Sequence, residues 1–304
     1  MTSLPLWKVH GLMLLAAVLV SSSFTVGKAI THGLDPAVLL LVRYMLATLF
    51  FAPILVAKKL FSLPSARQLV GYSAISASTV SFFWCMFEAL RYTSAVNTSI
   101  IFTLTPGISG IYSAIFLHEK LGRGRIWALL FGMIGALWVI FQGDIGRLLA
   151  MDINYGDLLF LGGCFLMAAY TPLVKKFHRQ ESMLVMTFWV LCTGVGWLLL
   201  LSYPKLTTVD WQGIALQVWA GILYLAVFAT IVTFYLTHMA TPCLGPTRVM
   251  AYSYFYPAFV LVINWGLGNG LPPLVILPGV LVVSLSIIVL QRGASGFESR
   301  SVSL

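Results

Sequence analysis

The sequence predicts an all-α integral membrane protein whose ten transmembrane helices form two inverted five-helix repeats. Three observations lead to this fold class. Of the 304 residues, 60% are hydrophobic and 9% are charged, whereas about a quarter of the residues in a soluble domain are charged. The apolar residues fall into runs of about 20, the length that crosses ~30 Å of hydrocarbon as a helix. The two halves of the chain also share a weak pattern of residues.

The apolar runs between polar loops define the predicted spans. The first run lies between Lys8 and the serines at 21–23, as the apolar part of a signal peptide can, but the repeat requires it as a permanent span. We expect one five-helix repeat at residues 7–143, a second at 156–291, and a cytoplasmic tail at 292–304. In chain order the predicted spans cover residues 10–30, 36–56, 69–91, 95–117, 125–142, 156–174, 183–203, 213–237, 246–267 and 271–290.

The charges in the loops predict the orientation of these helices. With the N-terminus inside, twelve of the 18 Lys and Arg residues fall on the inner side and four on the outer side, while Arg43 and Arg248 fall inside spans. Basic residues are retained on the cytoplasmic side of a membrane. We therefore predict a multi-pass protein of the cell membrane, with both termini in the cytoplasm.

The two halves match at an offset of 151 residues, which carries Phe83 onto Phe234 and Pro106 onto Pro257. Five helices per half is an odd number, so the second half is predicted to be inverted relative to the first. Inverted repeats are a recurring plan of secondary transporters, which bind solute between the halves and rock one half against the other. The two prolines are expected to kink their helices in the middle of a span.

Catalytic and metal-binding motifs are missing from the sequence. It contains no Walker-type phosphate loop, no H-E-x-x-H, no G-x-S-x-G and no pair of carboxylates close together on one span. The four cysteines form no C-x-x-C pattern and favour buried small side chains over disulfides or a metal site. The net charge of +9 lies in loop clusters and not along one polar face, which argues against nucleic acid. We predict no enzyme activity, no cofactor and no metal.

Charged side chains near the outer ends of the spans form a first set of candidates. Arg43 lies about seven residues into its span and so ~10 Å deep. It needs a partner, for which Glu88 and Asp157 are the candidates. Lys28 and these three residues form either structural ion pairs with snorkelling cations or an outer gate that opens and closes. Glu88 could alternatively couple transport to protons, or simply lie at the membrane interface.

A second set of candidates lies toward the inner face. Arg248, Tyr252 and Tyr256 are spaced four residues apart, which places them on one face of a helix. A cation beside hydrogen-bonding aromatic rings suits a solute that carries a carboxylate. The alternative is an interfacial belt of tyrosines. His238 is expected at the cytoplasmic boundary.

A third set of polar and aromatic residues lies near the middle of the spans and could line a central cavity. The alternative for its hydroxyl residues is close helix packing. Trp84 and Tyr235 occupy matching positions of the two halves. The candidates are Ser22, Thr25, Trp84, Thr98, Thr103, Tyr170 and Tyr235.

Several of these segments resemble a known family. The stretch ALRYTSA at 89–95, Pro106, and the stretch LHEKL at 117–121 look like EamA-like members of the drug/metabolite transporter superfamily. The resemblance implies a ten-helix inverted repeat with a cavity lined by helices one, three, four, six, eight and nine. It also implies export of amino acids, other metabolites or drugs. Glu119 has no acidic counterpart in the second half, where the offset places Gly270, so we interpret it as structural or gating.

The predicted function is therefore secondary-active export of amino acids or similar small metabolites by alternating access. The expected partners are a small-molecule substrate and the lipid bilayer, with the protein as a monomer or weak dimer. One alternative is an integral-membrane enzyme acting on lipids, which should cluster Asp, His or Glu at one membrane edge. The other is a channel or sensor, which should repeat its pore-lining residues around an oligomer axis.

Overall fold

The structure is a computed structural model, which describes residues 5–93, 98, 101–118, 122–141, 144, 146, 154–179, 181–268 and 274–292. Within these residues the regular structure is helical, without a strand. Asp35 caps the second helix by accepting from the backbone N–H of Ala37, and Ser65 and Gln68 form a capping box before the third. The helices are α1 Leu6–Ile30, α2 Pro36–Ala57, α3 Ala66–Tyr92, α4 Thr105–Leu117 and α5 Arg123–Phe141.

The helices of the second half are more often interrupted. A short break at Ala169 divides α6, a π-helical turn at Val227–Val232 divides α8, and a 3-10 turn at Tyr252–Phe255 divides α9. Such turns in longer helices are frequent at functional sites. The helices are α6 Tyr155–Phe177, α7 Met183–Leu206, α8 Leu216–Leu244, α9 at residues 246–266 and α10 Leu277–Arg292.

Among the described residues, six helices are long and apolar enough to cross a membrane, and they coincide with predicted spans: α1, α2, α3, α6, α7 and α8. The apolar parts of α4, α5 and α10 are shorter, at Thr105–Leu117, Ile126–Trp138 and Leu277–Val289. Over the residues that the structure describes, the chain is thus all-helical, with the apolar helices of a membrane protein.

Two prolines that were expected to kink continuous helices begin new helical segments instead. Thr103 and Leu104 form a turn, and α4 starts at Thr105 with Pro106 in its first turn. Pro257 likewise lies in the first turn of the segment Tyr256–Gly266. Proline lacks a backbone N–H, and a first-turn residue has no internal partner for one, so this position accommodates proline without a lost hydrogen bond.

The core lies mainly between the two halves of the chain. Helix α2 packs on α7, α3 on α6, α1 on α8, α4 on α9, and α5 on α10. Each of these pairs joins one helix of residues 5–141 to one of residues 154–292. One close approach of two backbones involves Gly135 of α5, where a Cβ atom would lie 2.9 Å from the carbonyl oxygen of Gly279 on α10.

Candidate functional site

The contact surface between residues 5–141 and residues 154–292, called the seam below, carries many of the polar side chains. Polar groups are expensive at membrane depth and mark functional positions by default. The inside of the seam therefore contains the candidate site. Side-chain hydrogen bonds across it join His10 to Tyr252, Ser22 to Tyr224, Arg43 to Thr230, Tyr72 to Glu181, Ser76 to Thr193, Thr93 to Asp157 and Asp35 to Lys205.

Arg43 lies in the middle of the seam with 0% of its surface exposed. Its Nε donates to Oγ1 of Thr230 at 2.6 Å, and its Nη2 donates to the carbonyl oxygen of Ala229 at 3.0 Å. Its Nη1 is buried and, among the residues described, has no hydrogen-bond partner. The structure therefore corrects the predicted pairing of Arg43 with Glu88 or Asp157, because its side chain contacts α8.

The π-helical turn explains why Arg43 finds acceptors on α8. In a π-turn the backbone bonds run from i to i+5, which displaces carbonyl groups from their ordinary i to i+4 partners. Here Oγ1 of Thr230 donates to the carbonyl of Leu225 at 2.9 Å, and Oγ1 of Thr233 donates to that of Ala229 at 2.9 Å. Thr230 is also the middle residue of the 29-residue helix Leu216–Leu244, so the guanidinium lies near the centre of the span.

Aromatic rings surround this guanidinium. The Cζ atom of Arg43 lies 4.4 Å from the ring centroid of Phe83, a cation–π contact. Phe83 in turn stacks on Phe234 of α8, with centroids 6.3 Å apart. Phe234 also contacts Tyr44 and Tyr170, at centroid distances of 6.2 Å and 5.9 Å. The cation is thus held in an aromatic environment built by both halves.

His238 is a central residue that the sequence interpretation placed at the cytoplasmic boundary. It is 0% exposed. Its Nε2 lies 2.9 Å from the hydroxyl of Tyr170, and its Nδ1 lies 2.6 Å from Oγ1 of Thr187, which donates to the carbonyl of Met183 at 2.7 Å. Since Thr187 uses its proton there, Nδ1–H donates to Thr187 and Tyr170 donates to Nε2. The imidazole joins α6, α7 and α8, and the apolar residues Met239 and Ala240 that follow it were the signal in the sequence.

Lys28 and Glu88, two further predicted gate residues, form contacts within residues 5–93. Lys28 donates to the carbonyls of Leu90 and Thr93 at 2.7 Å and 3.0 Å, at the end of α3. Glu88 pairs with Arg91 on its own helix at 3.6 Å. Glu119 lies outside the described residues.

Asp157 has a structural role at the start of α6. It forms a capping box with Asn154, and its Oδ1 accepts from Oγ1 of Thr93 at 2.6 Å. Carboxylates in the first turn of a helix are stabilised by the helix dipole and by the free N–H groups. These contacts explain why Asp157 is not available to Arg43.

The candidates for a central cavity are spread along the seam. Ser22 bonds to Tyr224 at 2.7 Å, whereas the buried Oγ1 of Thr25 has no partner in the described structure. Thr98 and Thr103 are buried. Trp84 packs against the larger apolar cluster of the core and Tyr235 against the smaller one, so these matching residues do not share one wall. Their neighbours Phe83 and Phe234 do meet.

The predicted stripe on α9 is divided by its 3-10 turn. A 3-10 turn has three residues per turn, so residues four apart no longer share a face. Tyr252 bonds to His10 near the start of α1, whereas the ring of Tyr256 stacks on Phe102, with centroids 5.3 Å apart. Arg248 is half-buried. The prediction is therefore corrected for Tyr256, whose side chain does not share the face of Tyr252.

Two polar groupings lie in loops. Burial lowers the pKa of His178, an effect that the neighbouring Glu181 carboxylate opposes. A pocket of about 380 Å³ lies beside the 2.7 Å ion pair of Lys205 and Asp35, in the loops that follow α1 and α7. This pocket is distinct from the central aromatic site.

Comparison with known proteins decides the family. The model of the EamA-like transporter family matches residues 7–141 and 154–292. The chain belongs to the EamA-like transporter family. As an EamA-like transporter with apolar helices throughout, it is a multi-pass membrane protein.

Three named relatives of this EamA-like transporter come from two bacteria and an archaeon. The "Uncharacterized transporter YyaM" of Bacillus subtilis is 25% identical over 65% of this chain, and the match spans 65% of YyaM. An "Uncharacterized transporter" of Archaeoglobus fulgidus is 23% identical over 84% of this chain and 87% of its own length. The "Riboflavin transporter" of Vibrio cholerae is 30% identical over 60% of this chain and 58% of its own length.

A solved structure shares the fold. One crystal structure superposes with a TM-score of 0.73 over 95% of this chain and 98% of its own, at 16% sequence identity. At this level of identity the likeness concerns the fold. The helix arrangement of the EamA-like chain is thus one that a crystallised protein also adopts.

Proposed function

We propose that this EamA-like protein is a secondary-active transporter that exports amino acids or similar small metabolites by alternating access. In this proposal ten transmembrane helices form two inverted repeats, at residues 7–143 and 156–291, with both termini in the cytoplasm. Solute binds between the repeats, and rocking of one repeat against the other exposes it to either side of the membrane.

The pairing of the helices supports the inverted repeat. Helices α2 and α7 occupy equivalent places in the two halves and pack on each other, as do α5 and α10, and α4 and α9. The contact of α3 with α6 likewise has its equivalent in the contact of α8 with α1. Such reciprocal contacts are expected of an arrangement with an approximate two-fold axis.

The observation that carries the proposal is the buried polar seam with Arg43 at its centre. A protein held together only by packing in lipid has no need of a cation at mid-span, since ions there are costly. A seam that must open to water on each side in turn does need polar groups along its length. The aromatic rings around Arg43 favour solutes with an apolar or aromatic body, and the guanidinium favours an anionic group.

A lipid-modifying enzyme is less well supported. Such an enzyme would need grouped acidic, histidine or cysteine side chains, and the part of the chain that the structure describes contains no group of three that could hold a metal. A channel would need an open path, whereas the centre of the seam is filled by Phe83, Phe234 and Tyr170.

A flux experiment tests the proposed function. Liposomes containing the purified protein are loaded with the protein amino acids and riboflavin, the solute named for the Vibrio relative, and the external solution is analysed by mass spectrometry with and without a proton gradient. We expect efflux of at least one solute above that from protein-free liposomes. As a matched control, Leu49→Ala alters a side chain of α2 that is 64% exposed and should leave the efflux unchanged. Efflux equal to that of protein-free liposomes for every solute contradicts transport.

A further inference from the structure

Arg43 carries a positive charge that the surrounding protein does not balance. The described chain places no carboxylate within ion-pair distance of its guanidinium. Transfer of an ion into a low-dielectric interior costs several kcal/mol when no opposite charge compensates. We therefore expect an anion that does not belong to the described chain to neutralise this cation.

The groups that Arg43 contacts do not depend on it. Oγ1 of Thr230 already donates to the carbonyl of Leu225, and the carbonyl of Ala229 already accepts from Oγ1 of Thr233. Removal of the guanidinium would leave both groups with a partner inside α8. These two polar groups of the π-turn are therefore hydrogen-bonded without an arginine at position 43.

The geometry leaves one end of the buried guanidinium without a hydrogen-bond partner among the described residues. The edge formed by Nε and Nη2 faces α8 through Thr230 and Ala229, while Nη1 has no partner among the described atoms. Cζ of the guanidinium lies over the ring of Phe83, 4.4 Å from its centroid. A guanidinium that is fixed in plane and direction, with free N–H groups at one end, is suited to a planar carboxylate.

We propose that Nη1 of Arg43 binds the carboxylate of the transported solute, whose apolar or aromatic body lies against Phe83 and Phe234. This inference rests on the proposed transport function and adds the chemistry of its solute, an organic anion. The bond to α8 orients the guanidinium, and the carboxylate neutralises it. The aromatic rings on both sides of the seam would close over the solute, which places the anion at the contact between the halves.

Competition during efflux tests the charge requirement. The probes are 3-phenylpropanoate and 3-phenylpropanamide, which have the same shape and differ in charge, and each is added to the flux assay described above. We expect the carboxylate to inhibit the efflux of the transported solute and the carboxamide to inhibit about 10- to 100-fold more weakly, as for loss of one charge-assisted hydrogen bond. Equal inhibition by the two probes, or none by the carboxylate, overturns the anion site while transport itself stands.

The substitution Arg43→Met separates a binding role from a structural one. We expect it to remove the difference between the two probes while the apparent melting temperature stays unchanged or rises, because a buried charge is replaced by an apolar side chain of similar length. Leu49→Ala on the same helix should retain the preference for the carboxylate. A clear fall in melting temperature with an unchanged preference would overturn the proposal.

Chemical labelling tests the site without a transport measurement. Phenylglyoxal modifies accessible guanidinium groups, and Arg91, which is partly exposed, provides the internal control. In proteoliposomes we expect slow modification of Arg43 that 3-phenylpropanoate suppresses, with modification of Arg91 unaffected. Complete modification of Arg91 with none of Arg43 would mean that Arg43 never faces a solute path, and would contradict the inference.

Discussion

Phe83 of α3 and Phe234 of α8 stack across the seam, with ring centroids 6.3 Å apart and ring planes inclined by 20°. The repeat offset of 151 carries the first residue onto the second. A residue contacts its own equivalent only near the axis that relates the two copies. In the proposed inverted repeat the axis therefore runs beside this pair and beside the guanidinium of Arg43, 4.4 Å from the ring of Phe83.

A double-mutant cycle of Phe83→Leu and Phe234→Leu should reveal coupling between these rings. Stacked aromatic pairs contribute about 0.5–1.5 kcal/mol beyond their burial, so the double variant should be less destabilised than the sum of the single variants by about that amount. The measurement is unfolding in mixed detergent micelles. Phe228 is 46% exposed on α8, and the cycle of Phe83→Leu with Phe228→Leu should be additive. Additive effects in the first cycle would contradict a specific contact at the axis.

Asp157 should matter for stability and not for transport. In Asp157→Asn the side chain retains one acceptor oxygen for Thr93 or for the backbone of Asn154, and loss of the other bond should cost about 1 kcal/mol. Efflux should stay near that of the wild type, as it should in Asn154→Ala, which removes another part of the same cap. Lost efflux in Asp157→Asn alone, at unchanged stability, would restore Asp157 as a gate or proton-coupling residue.

The sequence predicted the positions of the long helices because the length and composition of an apolar run largely determine a span. It also singled out Arg43, since a cation in an apolar run is conspicuous. Its partner could not be predicted, because the π-turn Val227–Val232 contains neither glycine nor proline that would mark it in the sequence. The prediction that Tyr252 and Tyr256 share a face was wrong for a similar reason, because residues four apart share a face only in an uninterrupted α-helix.

Thr187 should contribute more to stability than other hydroxyl groups that bond to their own helix, because it also accepts a hydrogen bond from His238. Thr187→Val removes the acceptor of Nδ1–H and leaves a buried donor unsatisfied, which should cost about 1–3 kcal/mol. Ser202 on the same helix is the matched control, since its hydroxyl donates only to the carbonyl of Leu198, and Ser202→Ala should change stability by a few tenths of a kcal/mol. Thermal unfolding in detergent provides the comparison, and equal losses in the two variants would show that His238 does not depend on Thr187.

The close contact of α5 with α10 depends on Gly135. A Cβ atom at this position would lie 2.9 Å from the carbonyl oxygen of Gly279 and 3.0 Å from the backbone nitrogen of Val283. Since backbone atoms cannot move aside as a flexible side chain can, Gly135→Ala should separate the two helices and destabilise the protein by about 1–3 kcal/mol.

Gly196 on α7 provides the control for this substitution because a Cβ atom there would meet nothing within 4 Å. Gly196→Ala should leave stability unchanged or raise it by up to about 1 kcal/mol through its higher helix propensity. If Gly135→Ala behaved like Gly196→Ala in detergent unfolding, the two helices would have to be farther apart in the membrane. In that case α5 and α10 would not form the reciprocal contact that supports the two-fold relation between the halves.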